Sequence, residues 1–403
     1  MQPDITTPSS AEQMAMAKQA LTDAGWPDRK NEAWKFTPLA SRGLSELTPA
    51  QQRDPAELAV ANGTDLSFVN GFAVSEMASH QGIAVEALSA EDDVAAGYLA
   101  RLPQDHHLTR LALSHVGAGV KITVTASATQ TRPFHIEFSG DGEGLSAHPF
   151  IVISVEAGAS FSLRETHHSS LGLSAPLILV DIADGARLDH IRIQNDSAAS
   201  THLSLTHMTV GASASANSFS LVRGGLLSRM ETHVDFAAEQ GDLVLSSVYL
   251  GTDEQHHDIT TVIGHEKPHC TSHQLIRGVL ADSSHGVFQG KVRVAPDAQK
   301  TDGQQMSRAL LLSRDAVADA KPELEIFADD VVCSHGATVG ELDETLMFYL
   351  KSRGIPFNEA RAMLIEAFVA DAVSDISNAE LADLIGPEIQ SWAVTHLRGG
   401  HDG

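Results

Sequence analysis

Between Lys121 and Phe327 the chain is written in short alternating runs. Lys121 to Ala126, Phe134 to Phe138 and Phe150 to Val155 are short and rich in β-branched or aromatic residues, and the first two interleave apolar and polar positions, the pattern of strands. A Gly-Ala pair then recurs at Gly158-Ala159, Gly185-Ala186 and Gly211-Ala212, with Gly241-Asp242 in a similar place. Each is followed by an alternating run: S-F-S-L, R-L-D-H-I-R-I, S-A-N-S-F-S-L and L-V-L-S-S-V-Y-L. Repeats at intervals of about 26 to 30 residues mark an array of stacked units. Strands joined by tight turns, with no helical pattern between them, stack most simply as a β-helix, each rung burying its inward side chains against the rungs above and below. A β-sandwich accounts for the strands but not for the recurring Gly-Ala phase. The alternation continues to Leu324, Ile326 and Ala328, set between Glu323, Glu325 and Phe327.

On either side the period becomes helical. Ser9 and Ser10 offer N-caps to a helix over Ala11 to Ala24, which Gly25 stops. The segment from Gly25 to Leu39 holds two of the three tryptophans among prolines and opposite charges, and reads as an ordered loop pinned by aromatic anchors. From Thr48 to Leu102 short helices (Pro49 to Ala61, Ala90 to Arg101) alternate with brief strands such as Leu66 to Val69, as in an irregular cap. After Gly340, Leu342, Leu346, Tyr349 and Leu350 make one apolar helix face that ends at Gly354. Asn358 is placed to cap a second helix, Glu359 to Val373, and a third runs from Asn378 to Leu397 with a break at Gly386-Pro387. The pattern predicts a mainly β protein in three parts: an N-terminal helical and mixed cap (1–110), a β-helix core (111–340) and a C-terminal helical domain (341–403). A helical hairpin stacked on the end of a β-helix would cover its open edge, a need every solenoid has, and Tyr349 and Phe368 are expected in its core.

Composition narrows the function. A formal net charge of -25 over 403 residues argues against nucleic acid or an anionic membrane as a main partner. Two cysteines make no disulfide framework and suit a reducing compartment. The first residues carry no basic and apolar pattern of a signal peptide, and no apolar run approaches the roughly 20 residues of a membrane span; a cytoplasmic protein is expected.

Familiar catalytic templates are missing. G-V-F-Q-G-K-V at Gly286 to Val292 has three residues between its glycines and Val after the lysine, so it is no P-loop. Asp and Glu are plentiful but form no recurring ladder of paired carboxylates, which leaves a polysaccharide-acting β-helix enzyme as a remote alternative. His265, His269, Cys270 and His273 form a dense cluster without a clear metal-binding geometry, because Pro268 breaks any helix there. The pairs His106-His107, His167-His168 and His256-His257 read as exposed loop residues. The junction between strands and helices, A-D-D-V-V-C-S-H-G-A-T-V-G (Ala328 to Gly340), carries the other cysteine. In an extended chain Cys333 and His335 share a face. Such a pair suits a soft or borderline metal, a thiol activated by its neighbour, or a buried thiol beside a hydrogen-bonded histidine.

The longer motifs are more specific. P-H-C-T-S-H-Q-L-I-R-G-V-L (Pro268 to Leu280), A-Q-K-T-D-G-Q-Q-M-S-R-A-L-L-L-S (Ala298 to Ser313), K-P-E-L-E-I-F-A-D-D-V-V-C-S-H-G-A-T-V-G (Lys321 to Gly340), F-Y-L-K-S-R-G-I (Phe348 to Ile355) and the N-terminal R-K-N-E-A-W-K-F-T-P-L resemble the SufB/SufD family of iron–sulfur cluster assembly proteins. With only Cys270 and Cys333, the chain looks like the SufD branch rather than the longer, cysteine-richer SufB branch. The resemblance implies a right-handed parallel β-helix between helical terminal regions and a non-catalytic role as a scaffold subunit. It implies pairing with a SufB-like subunit through the β-helix and binding of a SufC-like ATPase through the C-terminal helices, with no nucleotide held by this chain. It places the family's interface histidine on His335 and its neighbouring cysteine on Cys333, as ligands to iron or to a transient iron–sulfur cluster shared with SufB. A homodimer acting in iron entry or storage is the alternative within the same pathway.

Overall fold

The computed structural model describes residues 10–52, 63–74, 80–89, 93–103, 105–115 and 118–396. Its centre is a parallel β-solenoid of about 8 turns with helices towards both termini. Each strand pairs in parallel with the strand two places on, so every turn contributes one strand to each of two sheets. In one sheet Arg187 pairs with Ser215, Ser215 with Asp242, Asp242 with Thr271, Thr271 with Asp302 and Asp302 with Val332. In the other, Leu227 pairs with His256, His256 with His285 and His285 with Val317. The side chains between the sheets form the interior, a stack that includes Phe134, Phe161, Val180, Val210, Phe236, Ile263 and Val292.

The repeat has a backbone cause. One corner of successive turns is held in the left-handed region at Gly158 (φ 70°), Gly185 (65°), Ser213 (51°), Gln240 (62°), His269 (61°) and Lys300 (64°). Each of these amides donates to a carbonyl of the next turn: Gly158 to Asp184 (3.0 Å), Gly185 to Ala212 (2.8 Å), Ser213 to Glu239 (3.0 Å), Gln240 to Pro268 (3.3 Å), His269 to Gln299 (2.9 Å) and Lys300 to Asp330 (2.7 Å). The following position is small and buried in Ala159, Ala186, Ala214 and Cys270. Two of the four sequence pairs therefore mark the corner itself, while Gly211 and Gly241 lie two residues before and one residue after where expected. A left-handed corner costs a residue with a Cβ about 1–2 kcal/mol. His269→Gly is therefore expected to raise stability by up to about 1 kcal/mol, and β-branched His269→Val to lower it by about 1–2 kcal/mol. Urea midpoints of the two variants check this, and a glycine variant less stable than the parent would refute the strain.

The helices pack on the outer faces of the two sheets. The N-terminal group is α1 (Ser10–Ala24), α2 (Asp93–Leu99) and α3 (His107–His115). With the buried Trp34, it covers Phe150, Val152, Leu177, Leu179, Leu203 and Leu205. Gly25 ends α1 at a positive φ of 63°, as expected. The predicted Pro49–Ala61 helix does not begin at Pro49, which lies in a short strand, Thr48–Pro49, and residues 53–61 of it lie outside the described residues.

The C-terminal group is α4 (Glu344–Ser352), α5 (Phe357–Ser374), α6 (Ala379–Ala382) and α7 (Ile385–His396). Pro356, not Asn358, sits at the cap of α5, where a fixed φ suits a helix start. Gly386-Pro387 belongs to the first turn of α7, and the break falls just before it at Asp383 and Leu384. Ile365, Val369, Ile389 and Trp392 pack over Ile191, Phe219, Leu221, Val248 and Leu275 on the outer face of the sheet that ends in Val332–Glu341. Polar tethers fix the direction of this layer. Asp371 accepts from Arg277, Asp375 from Asn217 (2.7 Å) and Ser246 (2.6 Å), Asp189 from Ser377 (2.5 Å), and Ser162 from Asn378 (3.0 Å). The chain thus leaves the last turn and runs back down the side of the solenoid.

That path overturns one expectation: the helices cover a flank, not the open end. The first turn is backed by N-terminal strands. Leu66–Val69 and Thr48–Pro49 lie parallel to Phe134–Ala147, and Ile83–Ser89 lies antiparallel to Ala118–Val124. The last two strands, Val317–Ile326 and Val332–Glu341, each have a partner on one side only among the described residues. Tyr349 is also exposed rather than in the hairpin core, while Phe368 is partly buried there.

Candidate functional site

The open end is built on the strand Val332–Glu341. Successive strands stack in register, so the column beneath Cys333 runs through Gly303, Ser272, Leu243, Ala216, Leu188 and Phe161. These positions are buried between the sheets, so Cys333 is an inward position of the last turn, left half-buried because no turn follows it. Two residues on, His335 stands over Gln305, Gln274, Leu245, Ser218 and His190. Cys333 and His335 therefore share the inner face, as strand alternation requires, and His335 is exposed.

The floor of this end is shaped for them. A side chain at Gly303 would meet the Cys333 sulfur at 3.4 Å, so glycine leaves room for the thiol. Burial, opposed by a bond from the Gly303 backbone, pushes the Cys333 thiol upward from its ordinary pKa, which keeps it protonated at neutral pH. Directly under His335, Gln305 is buried with neither amide atom partnered. Below it, Gln274 accepts from the Thr261 hydroxyl at 2.7 Å and has an unpartnered nitrogen. Buried polar atoms without partners are costly and rare, so this end holds polar capacity that the isolated chain does not use. Sequence reading missed both glutamines; the signal was their place one and two repeats before His335.

Exposed apolar side chains surround the end. Val332 is 66% exposed, Phe327 58% and Phe348 73%, and Ile326, Val339, Leu346 and Tyr349 join them. No residue of α4 is buried. An unpaired strand edge beside an exposed apolar patch is the profile of an interaction surface.

The histidines fall elsewhere, mostly inside. His265 is buried, 2.9 Å from the Ser272 hydroxyl and stacked on Phe236. His269 is a left-handed corner, Cys270 is buried in the corner column with its thiol donating to Ala238 O (3.3 Å), and His273 faces out near Asp375. The structure separates this cluster. The three histidine pairs are not exposed loops. His107, His167, His256 and His257 are buried, and only His168 faces out. His167 and His190 both hold Glu165, which also takes two bonds from Arg192 (2.8 and 3.1 Å) inside the solenoid. Burial alone would raise the Glu165 pKa; Arg192 and the two histidines hold it well below the usual range.

Residues 138–368 match the family model of the SUF system FeS cluster assembly SufBD core domain. The chain belongs to the SufBD family. It is 33% identical over 369 residues to the iron-sulfur cluster assembly protein SufD of Escherichia coli, covering 88% of this chain and 86% of that one. It is 28% identical over 393 residues to protein ABCI7, chloroplastic, of Arabidopsis thaliana, covering 91% and 82%. The Bacillus subtilis SufD is 27% identical over 289 residues, covering 68% of this chain and 63% of the relative. Among the described residues the solenoid thus ends in a strand paired on one side only, which carries Cys333 and His335. No helix among the described residues is long and apolar enough to cross a membrane.

Proposed function

We propose that this chain is a non-catalytic, SufD-type scaffold subunit in ATP-dependent iron–sulfur cluster assembly. It joins a SufB-like subunit through the last turn of its solenoid and a SufC-like ATPase through its C-terminal helices. One observation carries this reading: among the described residues, the only turn left without a strand partner at its end is the one whose inner face holds Cys333 and His335. A strand edge of this kind gains main-chain hydrogen bonds from a second solenoid laid end to end. The junction would then enclose the thiol, the imidazole and the unpartnered Gln305 amide, a donor set suited to iron or a nascent cluster as cargo. ATP hydrolysis belongs to the partner in this reading. The P-loop look-alike at Gly286 to Val292 lies within the strand His285–Val294, not in a loop that could cradle phosphate. Closure of an ATPase pair on the exposed face of α4 would shift these helices, open the junction and expose Cys333 and His335. A cytoplasmic location fits the two unpaired cysteines, Cys270 and Cys333. The polysaccharide-acting alternative loses its basis in a family of cluster assembly.

Co-expression of the tagged full chain with SufB-like and SufC-like subunits tests this. The parent is expected to retain both. V332D/V339D is expected to lose the SufB-like subunit while keeping its thermal midpoint, since both side chains are exposed. His335→Ala is expected to keep the complex and cut cluster formation by more than the roughly tenfold that loss of even an outer partner costs. Recovery of this chain only as a pair of itself, with neither partner bound, would favour the homodimeric iron-entry module. Normal cluster formation by His335→Ala would end the ligand role.

A further inference from the structure

Away from the open end, three chemically matched side chains converge on the outer face of the other sheet. Glu231 and His233 stand two residues apart on the strand Leu227–Phe236 and so point the same way. His106 reaches them from the turn before α3. The Nε2 atoms of His106 and His233 each lie 2.8 Å from the same Glu231 oxygen, Oε1. One ligand atom from each of the three falls within 4.8 Å of the others.

The surroundings hold this arrangement in place. Arg229 donates to the other Glu231 oxygen from Nε (3.1 Å) and Nη2 (3.0 Å), which leaves Oε1 turned towards the histidines. Arg229 is itself fixed by Asp258 (2.8 Å), by the Ala33 carbonyl (3.0 Å) and by the Trp34 ring 4.0 Å beneath it. His107, wedged at 5.5 Å from both Trp26 and Trp34, anchors the turn that presents His106. Outer partners that orient the ligating groups are characteristic of built metal sites.

Charge supplies an independent argument. Glu231, Asp258 and Arg229 are all buried, at 2%, 0% and 0% exposure. Two carboxylates share one guanidinium, so Arg229 neutralises only one of them, and the other needs a cation beside Glu231, either a protonated His106 or His233 or a bound metal ion. The nearby lysines do not supply that cation: Lys321 pairs with Glu32 (2.7 Å) and Glu323 (3.4 Å), and Lys291 with Glu325 (2.7 Å). The three groups open into a groove of about 320 Å³ lined by Thr260, Thr261, Gln289 and the two lysines. Space therefore remains for water or a small ligand beside them.

We propose that His106, Glu231 and His233 bind a borderline divalent first-row cation, of the class of Zn²⁺, Co²⁺ or Fe²⁺, at a site separate from Cys333 and His335. Two imidazoles and a carboxylate with open positions suit such ions rather than Ca²⁺ or Mg²⁺, which prefer all-oxygen sets.

The test is titration of the chelator-treated full chain with cobalt(II) chloride in the absence of oxygen, read by visible ligand-field absorption. One equivalent of Co²⁺ is expected to bind and to be displaced by Zn²⁺. H106Q and H233Q should each weaken binding by more than the roughly 10–100-fold that loss of an outer partner costs, with unchanged circular dichroism. C333S/H335A should leave the titration as in the parent. Binding unaffected by an H106Q/H233Q double substitution, loss of binding in C333S/H335A, or no cobalt absorption with the folded parent would each overturn the assignment.

Discussion

Lowering the pH from 7 to 5 is expected to remove several kcal/mol of stability and bring the solenoid to the edge of unfolding. The cause is a set of histidines buried in neutral form. Burial lowers His167, His257 and His265 to about 4 and His148 to about 3, from an ordinary value of 6.5. For His167 the neighbouring Glu165 opposes this and is outweighed. A histidine whose folded value lies below its unfolded one takes up its proton more readily when unfolded. Its contribution is therefore intact above about pH 6.5 and is lost as the pH falls towards 4. Each fully buried ring forfeits about 1–2 kcal/mol at pH 5, against a typical total stability of about 5–15 kcal/mol. Asp196, held at about 2 mainly by His202 against the opposing effect of burial, adds its loss only below the usual carboxylate range. Urea unfolding between pH 7.5 and pH 4.5 measures the slope, and His265→Gln should reduce proton uptake on unfolding by about one. A midpoint unchanged from pH 7 to pH 5 would mean these rings are not buried as described.

Arg192→Met is expected to cost about 3–5 kcal/mol, because it strands a carboxylate inside the solenoid. Glu165 and Arg192 are 1% and 2% exposed. The guanidinium makes two bonds to Glu165 and a third, of 2.8 Å, to Thr206. Methionine fills a similar volume, so the loss reports electrostatics rather than a cavity. Adding Glu165→Gln should recover a large part of it, since the stranded charge is then gone. Urea midpoints of the single and double variants decide the matter. A single variant within about 1 kcal/mol of the parent, or a double variant worse than the single, would show that the pair does not act as a buried ion pair.

What the sequence made legible follows from which forces are local. The alternation in Phe134 to Phe138 and the spacing of Gly158 and Gly185 come from backbone geometry that each turn repeats, so strands and repeat length were readable. The corner slipped at Gly211 and Gly241 because Ser213 and Gln240 adopt the left-handed conformation themselves, which composition does not reveal. Apolar stripes on α5 and α7 say that a face is buried but not against what, so their place along the flank was hidden. The histidines were misread for a related reason. His167 looks polar and exposed in sequence, yet two-residue alternation turns it inward beside Glu165, and strand register brings His190 and Arg192 onto the same carboxylate from the next turn. His106 and His233 meet only through the packing of the N-terminal layer, a contact that no local spacing encodes. The shared face of Cys333 and His335 was legible because two-residue alternation is the most local rule a strand has.

The unlike ends of the solenoid carry a consequence for how many chains can gather. The starting turn already has strands of its own chain beside it, whereas Val317–Ile326 and Val332–Glu341 offer a free edge at the other end. A contact between two finishing turns consumes both edges at once, so it is self-limiting and cannot propagate into a filament as a head-to-tail stack would. Under the proposed end-to-end pairing, a repetitive architecture would be restricted to closed pairs, whether with its own kind or with a related solenoid.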